Sequence, residues 1–159
     1  MFDHHAVHRY SEFPLPSEKY IPGQGMHRRD KSNRAIPDCM ITIWENDWRT
    51  CEKYLYAIDL FNFGYWWEAH EVLEGLWMQA GRKTEQALFI QGIIQIAAAL
   101  LKDSMKQKRG ALSLFNKGLH KIKRQKGVYL GIDAKKFSAD CRRFFSDYKK
   151  SPPRIVLWY

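Results

Sequence analysis

The sequence predicts an all-α fold, a bundle of four to five mostly antiparallel helices with an extended N-terminal arm and a short C-terminal tail. Three observations predict it. From Trp44 onward, apolar residues recur at spacings of three and four, the period of one helix face. Glycines fall where those stripes stop, at Gly64, Gly81, Gly127 and Gly131. No alternating pattern strong enough to build a sheet interrupts them. At 159 residues and 45% apolar, with six Trp and nine Phe, the chain can bury one proper core and is too apolar for disorder.

Taken in order, residues 1–43 read as an arm punctuated by Pro14, Pro16, Pro22, Gly23, Gly25 and Pro37. Its aromatics Tyr10, Phe13 and Tyr20 suggest that part of it docks, whereas His4, His5 and His8 read as a surface tract. Trp44, Trp48, Cys51, Leu55 and Ile58 form the stripe of a first helix, with Asn46 or Asp47 as its N-cap and an end near Asn62. A second helix is expected from about Tyr65 to Gln79. A third starts at Thr84, with Glu85 suited to the positive helix start, and runs to about Lys102. The fourth covers about Gly110 to Gln125, with Leu112, Phe115, Leu119 and Ile122 inward and Lys117, Lys121 and Arg124 outward. Asp133 caps the last, whose stripe is Phe137, Cys141, Phe144 and Tyr148. Pro152 and Pro153 close the bundle domain (44–151) and leave 152–159 as the tail. Short connections imply antiparallel neighbours.

Several function classes are set aside by the same reading. The first twenty residues have no apolar core of a signal peptide. The run Ala87 to Leu101 is shorter than the roughly 20 residues a bilayer needs and is interrupted by Gln91 and Gln95, so a buried helix and no membrane partner are expected. Cys39, Cys51 and Cys141 are odd in number and widely spaced, which suggests reduced thiols in a cytoplasmic protein, with Cys51 and Cys141 buried. Charge is uneven: residues 1–101 hold 10 Lys/Arg against 13 Asp/Glu, residues 102–159 hold 16 against 4. Such asymmetry marks either a polyanion-binding face or solvated helices whose exposed residues happen to be basic.

The second helix carries Glu68-Ala69-His70-Glu71-Val72-Leu73-Glu74. At 100° per residue, Trp66, Ala69, Leu73, Leu76 and Trp77 make its apolar face. His70 and Glu74 then sit beside that face, with Trp67 and Met78 on their far side. Carboxylates beside tryptophan are costly unless paired or protonated, so this helix is the candidate site. The competing reading is a Glu–His pair that only fixes packing. Gln91 and Gln95 lie one turn apart on the third helix, among Leu88, Gly92, Ala98 and Ala99, and are expected to face His70, Glu71 and Glu74. Asn62 could close the same cluster. His70 and Glu74, at i and i+4, could share a divalent metal with Glu71 as a base, although the sequence offers no third ligand. No phosphate loop, nucleophile elbow or dinucleotide fingerprint is present.

The run Leu60-Phe61-Asn62-x-Gly64-x-x-x-Glu68-Ala69-His70-Glu71-x-Leu73-Glu74-x-x-Trp77, followed by Gln91-Gly92-x-Ile94-Gln95-x-Ala97-Ala98-Ala99 and Gly110-Ala111, resembles domain-of-unknown-function family 309. The resemblance covers about residues 54–122 and implies a compact bundle of four or five helices. It implies no activity. The chain departs from the family at Leu101-Lys102, where members often carry His, and at Lys108-Arg109, where many have Gly-Asn.

Three functional readings follow. One is a domain that binds a small molecule or ion in a pocket of Asn62, Glu68, His70, Glu71, Glu74, Gln91 and Gln95. A second is a hydrolase in which Glu71, His70 and Glu74 are catalytic and His70 and Glu74 hold a metal. A third is a nucleic-acid partner acting through residues 102–154. The aromatic excess is the reason to expect a homodimer.

Overall fold

A computed structural model defines residues 7–24, 47–81, 83–147 and 151–159, and their core is built around one helix. That helix is α3 (Glu85–Ser104); α1 (Glu52–Asn62) and α2 (Trp66–Ala80) precede it, and α4 (Lys108–Ile122) and α5 (Ala134–Ser146) follow. Thr84 caps α3 as expected, its hydroxyl accepting from the Ala87 N–H at 3.1 Å. Twelve residues of α3 are buried, because α2 packs along one side and α4 along the other. By length and apolar composition alone α3 could also cross a membrane. A helix buried between two neighbours passes the same test.

α3 and α4 cross with their backbones in close approach. A Cβ placed on Gly118 would come within 2.8 Å of the Gly92 carbonyl oxygen, so the two backbones touch there. This register turns Phe115, Leu119 and Ile122 inward, and Phe115 stacks on Phe145 of α5 at 4.4 Å. It also leaves Leu112 half exposed, at 49%, correcting the expectation that it faces the core. Asp133 caps α5, accepting from the Lys136 N–H at 3.0 Å.

The first helix starts later than its apolar spacing suggests. Asp47–Thr50 form a 3-10 turn and α1 begins at Glu52, because Trp48 folds back onto the Gly131 turn. Trp44, Asn46 and Tyr148 lie outside the described residues. A two-residue hairpin, β1 (Val128–Tyr129) and β2 (Ile132–Asp133), appears where no strand was expected. Its turn residues Leu130 and Gly131 both have positive φ, and a Cβ on Gly131 would meet the Trp48 ring at 2.6 Å. The tail joins this hairpin through an Ile132–Leu157 bridge and a Trp158 N–H to Gly131 carbonyl bond of 2.8 Å.

Cys51 is disulfide-bonded, which corrects the expectation of reduced thiols throughout. Cys39 lies outside the described residues. Cys141 is a free, buried thiol, and burial pushes its pKa far up, so it stays protonated and inert.

Candidate functional site

The polar residues on and around α2 fall into three separate arrangements rather than one pocket. The first clasps the chain ends. Asn62, at the end of α1, donates through Nδ2 to the Ile155 carbonyl at 2.8 Å and accepts the Ile155 N–H at 2.7 Å. It therefore grips the tail and does not close a cluster with His70. Glu68 is buried at 6% exposure and accepts the Tyr20 N–H at 2.7 Å, holding the arm. Beside it, burial lowers the Lys19 ammonium pKa while Glu68 pulls it the other way. Tyr65 is raised by burial and then by the Glu68 charge, and its hydroxyl donates to the Pro16 carbonyl at 2.9 Å.

The strongest clasp residue is one that helical spacing passes over. Asp59 is fully buried on α1 and accepts four donors from the arm: Arg9 Nε at 2.9 Å, the Tyr10 N–H at 2.8 Å, and the Ser11 N–H and hydroxyl at 2.9 and 2.7 Å. The signal for it was present. A lone carboxylate inside Tyr54-Leu55-Tyr56-Ala57-Ile58-Asp59-Leu60-Phe61 has to be buried, and a buried charge has to find donors.

The second arrangement faces α4. Gln95 accepts from Lys121 Nζ at 2.9 Å and lies against Gly118, so it points away from α2, and the expected contact with His70, Glu71 and Glu74 is not made. Gln91, one turn earlier, is half-buried on the same side. The cause is that α3 is apolar nearly all round, so periodicity gave no preference between its two neighbours.

The third is the edge of the apolar face of α2, where Trp66 and Trp77 pack against the core but are only half-buried, less inward than their spacing suggests. Trp66, His70 and Trp77 lie within about 40° of one another around the helix axis, by their spacing of four and seven. The His70 ring stacks on Trp67, with centroids 5.8 Å apart and planes 19° apart. Trp66 Nε1, His70 Nδ1 and Trp77 Nε1 are each shut off from solvent without a hydrogen-bond partner. Glu74 is half-buried one turn beyond His70, while Glu71 is exposed. An indole N–H donor, an imidazole able to donate or accept, and a neighbouring carboxylate can hold a group carrying both acceptors and donors. Among the described residues, no group of three or more His, Cys, Asp or Glu side chains is placed to hold a metal. The groove beside the first turns of α5, lined by Phe137, Asp140, Arg154 and Trp158, contains none of the sequence-predicted site residues.

The helices and their motif residues define a small all-helical domain with its polar motif wrapped around α2. Residues 54–114 match the family described as Domain of unknown function (DUF309). The match runs from Tyr54 in α1 through α2 and α3 into the first half of α4, the stretch in which the two motifs lie. No curated protein matches the chain.

Proposed function

We propose that the chain is a binding module and that its ligand is a small polar organic molecule seated at the edge of the apolar face of α2 around His70. One observation carries this reading: three buried nitrogens on a single helix side have no protein partner. A buried donor without a partner costs about 1–3 kcal/mol, and a fold that leaves three along one helix side forgoes that stability. A ligand returning those hydrogen bonds recovers it. Trp77 donates to its acceptors, Glu74, between His70 and Trp77 along the helix, accepts from its donors, and Trp67 fixes the plane of His70. Asn62, Glu68 and Gln95 take no part, because each is bonded elsewhere in the chain.

The test is a thermal-shift screen of the full chain against nicotinamide, nucleobases, free amino acids and dipeptides, repeated on His70→Leu and Trp77→Phe. A ligand at a hundredfold excess over its Kd stabilises by about 2.7 kcal/mol, which raises Tm by about 5 °C or more for a domain of this size. The reading requires a compound with such a shift that is lost in both variants. A flat response across the panel, or a shift that survives His70→Leu unchanged, removes it.

A further inference from the structure

Residues 104–132 hold eight Lys and Arg and not one Asp or Glu. In the fold this stretch is α4 with its two flanking turns. The apolar side of α4 is spent on the core, through Ala111, Phe115, Gly118, Leu119 and Ile122. Its other side is open: Arg109, Ser113, Asn116, Lys117, His120, Lys123 and Arg124 are all exposed. Two of the cations are answered from outside the stretch, Arg124 by its ion pair with Glu85 and Lys108 by the nearby charge of Asp103. Lys121 is half-buried and held by the neutral Gln95 amide rather than by a carboxylate. Its pKa is lowered by burial and then by the Lys117 charge one turn away. The last helix contrasts with this. Its Lys136 and Arg143 both pair with Asp140, at 2.7 and 2.8 Å.

We infer that the outer face of α4 binds the phosphate backbone of a nucleic-acid duplex, with Arg109, Lys117, Lys121 and Lys123 as its phosphate contacts. This surface is separate from the α2 site and stands or falls without it. Charge complementarity selects a polyanion. The side chains between the cations (Ser113, Asn116, His120) are hydrogen-bonders suited to phosphate and sugar. A single-strand binder stacks bases on exposed aromatics, and α4 exposes none; its one exposed large hydrophobic residue is Leu112. A membrane-surface helix buries its apolar face in lipid, and here that face is already buried in the core. At 1.5 Å per residue, α4 is about 22 Å long, which spans about six base pairs.

Fluorescence anisotropy of the full chain with a labelled 20-base-pair duplex, as DNA and as RNA of the same sequence, tests this across a salt series. Four contacts predict a slope of log K against log salt near −3.6, independent of base sequence. Lys117→Glu with Lys121→Glu should weaken binding at least tenfold, whereas Lys135→Glu with Arg142→Glu on α5 should change it less than threefold. Gln95→Glu separates charge from folding: it gives Lys121 an ion-pair partner, so the protein keeps its stability while duplex affinity falls severalfold. Binding to either duplex with that slope and that variant pattern supports the inference. No binding at 50 mM salt, a salt-independent affinity, an unaffected charge-reversal variant, or binding only to phosphatidylserine vesicles or to an acidic protein overturns it.

Discussion

Along α1, Asp59 and Asn62 are sealed from solvent, and each is bonded to backbone far away in the chain. Along α2, the nitrogens of Trp66, His70 and Trp77 are sealed equally well and meet nothing. Both regions place polar atoms at the edge of the same core, so burial alone does not distinguish them. Satisfaction does. A polar group that its own chain completes is part of the fold, and removing it must cost stability. A polar group that its own chain leaves open contributes nothing to folding, and removing it should cost little or even help.

That contrast can be broken by substitution. The largest effect is expected at Asp59→Ala, which strips the acceptor from four arm donors and leaves Arg9 without its carboxylate, bonded only to the Ser11 and Phe13 carbonyls among the described residues. Urea denaturation should give a loss of about 3–4 kcal/mol, and a loss under 1 kcal/mol would mean that the arm does not stabilise the domain. Asn62→Leu should lose about 2–3 kcal/mol, since the Ile155 N–H and carbonyl are then both buried and unpaired. The same chemical change at His70→Leu should have the opposite sign, leaving stability unchanged or raised by up to about 1 kcal/mol. Equal losses at Asn62 and His70 would erase the distinction between the two regions. The smallest effect is at the surface. The Arg124 hydrogen bond holds the Glu85 carboxyl below its ordinary 4.5. A carboxylate with a lowered folded pKa adds stability above its unfolded pKa and loses it as pH falls through the lowered value. An acid titration of Glu85→Gln beside the parent should therefore show the two converging below pH 4 and the parent slightly ahead at neutral pH. Added salt should shrink the gap.

The helices were legible because their signals are local. Thr84 and Asp133 cap where their residue types and positions imply. Ala69, Leu73 and Leu76 of α2 and Phe137, Cys141 and Phe144 of α5 are turned inward as their spacing requires, while Trp66 and Trp77 sit half-buried at the edge of the α2 face. The site was legible only in part. His70 and Glu74 lie beside the apolar face of α2, as the helical wheel places them. Asn62 and Ile155 are separated by 93 residues, and no local pattern announces such a partner. Gln95 was assigned to the wrong neighbour for a related reason. What turns it toward α4 is the Gly92–Gly118 approach, a fit between two backbones that periodicity does not encode. Lys121 was read as an outward, solvated lysine, yet the same approach draws it against Gln95.

The arm and the tail also meet each other, through a Leu157 N–H donated to the Tyr10 hydroxyl at 3.0 Å and a stack of Tyr10 on Tyr159. These contacts join residues 147 positions apart, whereas α2, α3 and α4 are consecutive neighbours. Loop closure of that length is the slowest kind of contact to make, so the helices should assemble first and the two ends should lock last. During synthesis, the α1 clasp has its arm in hand from the beginning but waits for Ile155. Until that residue emerges, Asn62 is an exposed amide on a bundle whose helices are already made, and the segment around Ile155 acts as its latch.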